Sequence, residues 1–256
     1  MIYDRLTVAL LGTLSSERWD STNAHIARYL LVHQDQLDEL SVKGLARACS
    51  VGIGSVSRFC REVGFAGFEE LCEEFCASSR EFETVGGDGD GTADGLVPLV
   101  EQAIAQAGES VDGRAIARLA DDLLRYDKVS AYGMLKAQAA AVDLQVDLLM
   151  QGKMVDTCVS HVEQLRRISE ATSDELIVVF SYTGSYFDAS DMDEAMRRLG
   201  RPKIWVVCGR RHAMPSFVAD RVLFSSSGSQ LGHPYQLELV AGLIAQEYAR
   251  RVADTA

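Results

Sequence analysis

The chain of 256 residues lacks any long hydrophobic run, although 47% of its residues are hydrophobic. A transmembrane helix needs about 20 consecutive apolar residues, so we expect no membrane span and no membrane partner. Residues 1–6 also lack the basic-then-apolar order of a secretory signal peptide. The sequence therefore predicts a cytoplasmic, globular protein with enough apolar residues for one large or two modest domains.

Cysteine is scarce, and its six positions fall inside predicted helices or strands rather than in loops. This placement suits reduced, buried thiols and argues against a disulfide scaffold. Two of the cysteines are one helical turn apart, but no His or second Cys pair has the spacing that a metal site requires. We therefore expect no metal and no cofactor. The six are Cys49, Cys60, Cys72, Cys76, Cys158 and Cys208.

An excess of positive charge is also missing, because the formal net charge is -12. Residues 1–80 contribute -3 of this charge, and residues 81–256 contribute -9. Residues 41–68 are an exception, with four basic side chains against the single acid Glu62. The local field of this segment suits nucleic acid, although the field of the whole chain does not.

Residues 45–59 have the spacing of two short helices joined by a tight turn. Apolar residues recur where the two helices and the turn would face each other, and Ala46 is small where the helices would cross. This pattern predicts a helix-turn-helix, although an αα-hairpin that only packs a helical domain has the same spacing. The apolar positions are Leu45, Cys49, Val51, Val56 and Phe59.

The residues between these apolar positions are small, hydrogen-bonding or cationic, as a surface that enters a major groove requires. Gly52 and Gly54 each cost about 1 kcal/mol of helix stability relative to Ala. We predict that nine residues contact DNA. They are Lys43, Arg47, Gly52, Ile53, Gly54, Ser55, Ser57, Arg58 and Arg61.

Residues 58–71 read R-F-C-R-E-V-G-F-A-G-F-E-E-L. This run resembles the R-F-x-x-x-x-G-F-x-G-F-x-x-L signature of RpiR-type bacterial transcriptional regulators, and the resemblance implies a DNA-binding unit. Gly64 can end the second helix with a positive φ, and Gly67 can start the next helix. The chain differs from the family at Gly52 and Ser55, where a Ser-x-x-Thr pair is usual.

The first eighty residues are predicted to be helical, with helices up to Leu14, from a cap at Ser21, and over 67–76. Residues 84–95 are rich in Gly and Asp and have almost nothing to bury. The Asp-Gly repeats lack the terminal Glu and flanking helices of a calcium-binding EF-hand. We predict an all-α helix-turn-helix domain over 1–80, a flexible linker over 81–97 and a second domain over 98–256.

In the second domain, short β-branched runs alternate with helical stretches, which is typical of parallel βαβ crossovers. The predicted fold is an α/β three-layer sandwich with a five-stranded parallel sheet. The predicted strands are 128–132, 153–156, 175–181, 203–208 and 221–224. The predicted helices are 115–124, 137–149, 162–170, 189–199, 213–218 and 234–252.

Residues 181–186, S-Y-T-G-S-Y, follow a buried predicted strand. They resemble the S-x-[ST]-G-x-T loop of SIS (sugar isomerase) domains, which RpiR-type regulators carry after their DNA-binding domain. The resemblance implies a phosphosugar effector at the carboxyl ends of the strands, where parallel sheets bind ligands. The predicted ligand-binding residues are Gly133, Lys136, Ser181, Thr183, Gly184, Ser185 and Tyr186.

Three positions depart from the SIS pattern. Tyr186 stands where the family has Thr, and we expect its hydroxyl to be displaced outward. Leu135 and Ala137 replace the second Gly and the Ser of the usual G-x-G-x-S turn, so we expect Leu135 to lack the freedom to bring its backbone against a ligand. Lys136 could supply a compensating positive charge. Residues 225–229 form another hydroxyl-rich strand end, or a polar loop.

The leading interpretation is a DNA-binding regulator, a homodimer or homotetramer, whose SIS-like domain senses a phosphosugar and modulates binding to operator DNA. One alternative is a sugar-phosphate isomerase with Glu238 as its acid–base carboxylate. Another is a ligand-independent dimeric DNA binder with a degenerate SIS pocket. We expect no enzyme activity, and we expect His161 and His233 to be surface or ligand-contact residues.

Overall fold

The computed structural model describes residues 5–33, 40–76, 92–188, 190, 192–197, 200–209 and 212–255. The chain divides into two compact units, one of residues 1–80 with 159–164 and one of residues 81–158 with 165–256. Within the described part of the chain, no helix combines the length and the apolar character needed to cross a bilayer.

The first unit is a small helical domain around one apolar core. Leu45, Val56 and Phe59 are fully buried, as the helix-turn-helix spacing predicted, and Cys49 and Val51 pack against them at partial burial. The predicted cap at Ser21 is confirmed, because its Oγ accepts a hydrogen bond from the N–H of Ala24 at 3.1 Å. The helices are α1 (Arg5–Ser16), α2 (Thr22–Val32), α3 (Val42–Ala48), α4 (Ile53–Glu62) and α5 (Phe68–Cys76).

The helices α3 and α4 end in the same way. Ser50, after α3, has a φ of 56°, and the N–H of Val51 donates to the carbonyl of Ala46 at 2.9 Å. Gly64, after α4, has a φ of 90°, and the N–H of Phe65 donates to a carbonyl in the last turn of α4 at 2.8 Å. Both ends are Schellman motifs, in which a left-handed residue reverses the chain and satisfies the last carbonyls. The tight turn between α3 and α4 follows from this geometry.

The second unit is a three-layer α/β domain with a parallel sheet in the order β1-β2-β3-β4. Among the described residues the sheet has four strands, so the prediction of five is wrong. Residues 153–156 contribute one isolated bridge, from Asp156 to Ser130. Met154 is exposed and Val155 is buried, so this short segment offers little surface to a sheet. The strands are β1 (Lys128–Gly133), β2 (Glu175–Phe180), β3 (Lys203–Cys208) and β4 (Asp220–Leu223).

Helices cover both faces of the sheet. One face packs against α9 and α10, with Ile177 and Val179 of β2 in that core. The alternate residues of β2, such as Val178, point to the other face, where α7, α8 and α11 lie. The helices are α6 (Thr92–Ser110), α7 (Gly113–Arg125), α8 (Lys136–Met150), α9 (His161–Glu170), α10 (Met192–Ala195) and α11 (His233–Thr255).

The structure and the sequence predictions differ at three helical segments. Helix α6 was not predicted, and it includes residues 92–97 of the predicted linker, whose residues 81–91 lie outside the described residues. Residues 213–218 form a turn rather than a helix, because Pro215 lacks an N–H and restricts the residue before it. The helix predicted over 189–199 is described as α10 alone, since residues 189, 191, 198 and 199 lie outside the described part.

A buried carboxylate ties α7 to the sheet. Asp122 accepts hydrogen bonds from the indole N–H of Trp205 at 2.7 Å and from Nζ of Lys203 at 2.8 Å. Lys203 and Trp205 lie at the amino end of β3, opposite the strand ends where ligands of parallel sheets bind. This pair therefore belongs to the scaffold and not to the site.

Candidate functional site

The first candidate surface lies on α3 and α4. Gly52 is the N-cap of α4, with extended φ and ψ of −75° and 152°, so it stands before the helix. The predicted loss of helix stability at Gly52 is therefore wrong, because Gly is tolerated at an N-cap. Gly54 lies in the first turn of α4 and has open space around its Cα. A backbone free of side-chain obstruction at this point can approach a neighbouring surface closely.

The structure exposes most of the residues predicted to contact DNA. Ser55 is half-buried, and the Ser57 hydroxyl donates to the carbonyl of Ile53 at 3.2 Å. Ile53 is 46% exposed at the start of α4, where an aliphatic side chain could contact a thymine methyl group. The exposed members of the predicted set are Lys43, Arg47, Gly52, Ile53, Gly54, Ser57, Arg58 and Arg61.

A short polar chain adjoins Arg58. Its Nε lies 3.9 Å from Oε1 of Glu62, and Oε2 of Glu62 accepts from the side-chain amide of Asn23 at 2.8 Å. The same amide also donates to Glu17 at 3.1 Å. Sequence reasoning missed this network because two of its members come from elsewhere, Glu17 from the residue after α1 and Asn23 from α2. It lowers the net positive charge around Arg58 and restricts the direction of the guanidinium.

Arg5 was also missed. Its guanidinium donates to the carbonyl of Gly64, pairs with Glu70 at 3.2 Å and lies 4.6 Å from the ring centre of Phe65. These contacts bind α1 to the residue that ends α4. The orientation of the second helix of the helix-turn-helix therefore depends on α1.

The second candidate surface is the hydroxyl-rich loop after β2. Ser181 is buried, and its N–H donates to the carbonyl of Val207 in β3 at 2.9 Å. The hydroxyls of Thr183 and Ser185 lie 2.6 Å apart, and Gly184 turns the loop with a φ of 81°. Four of the predicted ligand residues thus lie together in one tight turn at the carboxyl end of the strand.

Tyr186 does not line this turn. It is 2% exposed and packs edge-on against Phe187, in the core cluster that also holds Tyr132. The outward displacement predicted for its hydroxyl is therefore wrong. Burial raises the pKa of Tyr186 well above its usual value, and Cys158 and Tyr132 add to the shift. The side chain replaces the Thr of the family pattern with a core residue.

The turn after β1 keeps the backbone shape of a glycine turn, although Leu135 replaces the second glycine of the family pattern. Leu135 has φ and ψ of 51° and −115°, and the N–H of Ala137 donates to the carbonyl of Met134 at 3.0 Å. Leu135 thus adopts a positive φ at the position of the second glycine of the family pattern, and whether its backbone can approach a ligand stays a prediction. Gly133 is required, because a Cβ there would lie 2.5 Å from the carbonyl oxygen of Ala137. Lys136 directs its Nζ to the carbonyl of Gln230 at 3.2 Å.

Residues 225–229 form an ordered loop that Tyr182 joins to the loop after β2. The Tyr182 hydroxyl accepts a hydrogen bond from Ser226 and another from the N–H of Gly228 at 2.9 Å. Its ring lies 4.4 Å from that of His233, which is 3% exposed. His233 is therefore buried, which excludes the predicted surface position, while the alternative of a ligand contact stays a prediction.

Gln236 is fully buried beneath this loop. Its Oε1 accepts from the N–H of Ser227 at 3.0 Å, and its Nε2 donates to the carbonyls of Ala103 at 2.8 Å and Ser225 at 3.1 Å. The loop after β4 is thus fixed to α6 and α11 by one amide.

The side chain of His212 borders Gly184 and contacts Asp188. A Cβ at Gly184 would lie 2.8 Å from Cβ of His212 and 3.1 Å from Cε of Met214. Nε2 of His212 lies 2.9 Å from Oδ1 of Asp188, and Nη1 of Arg221 donates to the backbone carbonyl of His212 at 3.2 Å. Sequence reasoning missed His212 because nothing in the local pattern places the segment after β3 on the loop after β2.

Glu238, the acid–base carboxylate of the isomerase alternative, lies on α11. It is half-buried on α11, where burial and the charge of Asp143 on α8 raise its pKa. The raised pKa of Asp143 itself comes from burial and from Asp147. The structure therefore gives Glu238 a carboxylate neighbour on α8.

The helix-turn-helix region has a family match. Residues 13–75 match the family described as "Helix-turn-helix domain, rpiR family". An uncharacterised HTH-type transcriptional regulator of Caldanaerobacter subterraneus is 32% identical over 144 residues. The matched stretch is 53% of this chain and 50% of that protein, so the chain spans about half the length of this relative.

Solved structures share the fold over a longer part of the chain. The Vibrio vulnificus NanR protein, in its complex with ManNAc-6P, has a TM-score of 0.55 and 14% identity, covering 97% of this chain and 93% of its own. The c3406 protein of E. coli CFT073 has a TM-score of 0.52 and 14% identity, covering 62% of this chain and 88% of its own. At these identities the similarity concerns the fold alone. The comparisons therefore identify residues 13–75 as similar to the helix-turn-helix domain of the rpiR family, in a chain that shares its fold with these solved structures.

Proposed function

We propose that this chain is a transcriptional regulator that binds operator DNA through the domain of residues 1–80 and senses a phosphorylated sugar through that of residues 98–256. Residues 81–97 connect the two. The observation that carries the proposal is the combination of an exposed basic face on α3 and α4 with a hydroxyl-rich turn at the carboxyl end of β2. ManNAc-6P, the ligand in the NanR complex, supports a phosphorylated sugar as the class of effector.

The DNA contacts would come from the predicted set on α3 and α4. Lys43 and Arg47 would contact phosphates, and Ile53, Arg58 and Arg61 would contact base edges or the DNA backbone. A single such unit makes few contacts, so specific binding requires a homodimer or homotetramer on repeated half-sites. The effector would act by shifting the population of DNA-binding arrangements.

The effector contacts would come from Ser181, Thr183, Gly184 and Ser185, with Gly133 and Lys136 in the turn after β1. Hydroxyls and backbone N–H groups at strand ends stabilise phosphate oxygens without a metal. The buried Tyr186 keeps its place beside this turn but supplies packing. This domain would act as a sensor and not as an enzyme.

A ligand-independent DNA binder is the second candidate function. The mutual hydrogen bond of Thr183 and Ser185 favours it, because it already pairs the two hydroxyls with each other. In that case the α/β domain would only hold the oligomer together.

The proposal is tested in two steps with the full chain. DNA that the protein selects from a random pool is labelled, and its affinity is measured by fluorescence anisotropy at several salt concentrations. Arg58→Ala should weaken DNA binding by about 1–3 kcal/mol. It should also reduce the dependence of log affinity on log salt concentration by the amount that corresponds to about one phosphate contact. Lys128→Ala, which removes a cation at the start of β1 in the α/β domain, is the matched control. It should leave the affinity and the salt slope unchanged.

In the second step, ManNAc-6P, other sugar phosphates and the corresponding unphosphorylated sugars are added to the protein–DNA complex. A phosphorylated sugar that changes DNA affinity in the wild type, but not in the double variant Ser181→Ala with Thr183→Ala, supports the sensor. DNA binding that no phosphorylated sugar changes supports the ligand-independent binder. Failure to select any DNA sequence overturns the regulator.

A further inference from the structure

The segment after β3 lies on the loop that we propose as the phosphate site. Gly184 has a positive φ. A Cβ added to Gly184 would lie 2.8 Å from Cβ of His212. The Cγ atom of the imidazole is 3.6 Å from the same position. The His212 side chain therefore covers Gly184, the residue between Thr183 and Ser185 in the chain.

The loop needs a positive charge if it is to bind a phosphate tightly. Its own side chains offer hydroxyls, which are neutral donors and give weaker hydrogen bonds to an anion than a cation does. Lys136, the cation expected from the sequence, donates instead to the carbonyl of Gln230 before α11. Among the described residues, His212 places against Gly184 an imidazole, a group that is cationic when protonated.

Asp188 already occupies one side of this imidazole. It follows the loop by four residues, and its Oδ1 lies 2.9 Å from Nε2 of His212. The side chains of His212 and Asp188 are 36% and 43% exposed, so both can meet a ligand from solvent. An ion pair with this exposure contributes little stability. The pair matters instead because it lies beside the loop after β2, where its charges would act on an anion that enters the site.

We propose that His212, in its protonated form, is the charged contact for the anionic group of the effector, and that Asp188 competes with that group for the imidazole. This inference rests on the proposed sensing function. Asp188 holds His212 beside Gly184 while the site is empty. A bound phosphate takes the imidazole as its partner and is repelled by the Asp188 carboxylate, so the carboxylate limits affinity for anions.

The two side chains should then have opposite effects on binding. His212→Gln removes the positive charge and should weaken binding of a phosphorylated ligand at least about tenfold, the loss expected for one charge-assisted hydrogen bond. Asp188→Asn removes the repelling charge, leaves the imidazole in place and should tighten binding about threefold. If the pair only held the two loops together, both variants would weaken binding.

The test is isothermal titration calorimetry on the full chain, with inorganic phosphate first, then ManNAc-6P and its unphosphorylated sugar. Lys128→Gln, which removes a cation at the start of β1 from its pair with Asp174, is the matched control. Thermal unfolding of each variant checks that it is folded. Weaker binding by His212→Gln together with tighter binding by Asp188→Asn supports the assignment, provided that the unphosphorylated sugar shows neither effect.

Two results would overturn the assignment. Unchanged binding in His212→Gln removes His212 from the site, and equal weakening in both variants reduces the pair to a structural role. Either result leaves the proposed sensing function intact, because the wild type still binds. Absence of binding by the wild type to phosphate and to ManNAc-6P, by contrast, counts against the sensor and the inference together.

Discussion

Ser50 and Gly64 occupy equivalent positions, each the left-handed residue that follows the C-cap of a helix in the helix-turn-helix. A side chain in this conformation costs about 1 kcal/mol, and glycine avoids that cost. Ser50→Gly should therefore raise the free energy of unfolding of the first unit by about 1 kcal/mol, measured by urea unfolding with circular dichroism.

The reciprocal variant Gly64→Ser is the control. It introduces at the end of α4 the residue that the chain already carries after α3, and it should lower stability by a similar amount. A Ser50→Gly variant that is less stable than the wild type would show that the Ser50 side chain compensates for its backbone conformation.

A second prediction concerns Leu135. Its φ of 51° and ψ of −115° lie in a region that glycine adopts readily and other residues rarely do. Leu135→Gly should be more stable than Leu135→Ala by about 1 kcal/mol, the reverse of the usual order. At the exposed helical residue Leu149, the same two substitutions should follow the usual order, with Ala more stable. Thermal unfolding of the four variants gives the comparison, and Ala ahead of Gly at both positions would contradict the prediction.

A third prediction concerns the buried carboxylate of Asp122. Asp122→Ala should lower the free energy of unfolding by about 2–4 kcal/mol, because it leaves the indole N–H of Trp205 and the ammonium of Lys203 without their acceptor. Its neighbour Asp121 is exposed and pairs with Arg251 at 2.7 Å. Asp121→Ala should cost less than about 1 kcal/mol. Equal losses in chemical denaturation would show that the buried contacts add nothing.

A fourth prediction concerns pH. Burial raises the pKa of the Cys60 thiol from 9.0 to about 11, and the nearby Cys72 adds to the shift. Because the unfolded chain loses this proton first, the thiol's contribution to stability is complete below about pH 9 and is lost as the pH rises towards 11. The loss of stability caused by Cys60→Ala should therefore be smaller at about pH 10.5 than at about pH 8.

Val56→Ala provides the comparison for this experiment. It removes a fully buried apolar side chain with no titrating group from the same core, so its effect on unfolding should be the same at both pH values. A pH dependence shared by both variants would assign the effect to the core as a whole.

Local pattern was enough to predict much of the fold. The apolar run of β2 and the spacing of Leu45, Val56 and Phe59 specify their elements, because burial on one face leaves its period in the sequence. Helix α6 shows where pattern fails. Its start has the composition of a linker, and the residues that hold it against α11, such as Ala103, are small side chains buried by a distant part of the chain.

The candidate sites divide in the same way. The turn of Ser181 and Thr183 is adjacent in sequence and could be predicted, whereas the partners of these loops come from far away. Arg5 meets Gly64 from 59 residues away, and His212 meets Asp188 from 24 residues away. The direction of Tyr186 could not be predicted either, because the geometry of the loop before it decides which way the ring points.

Gln236 limits what mutation can do at the edge of the sheet. Its amide uses both ends, accepting from Ser227 and donating to the carbonyls of Ala103 and Ser225. A glutamate there would set a charge against two carbonyl oxygens, and an asparagine would be one methylene too short to reach all three groups. Substitutions in the loop after β4 can therefore keep its conformation only if Gln236 is retained.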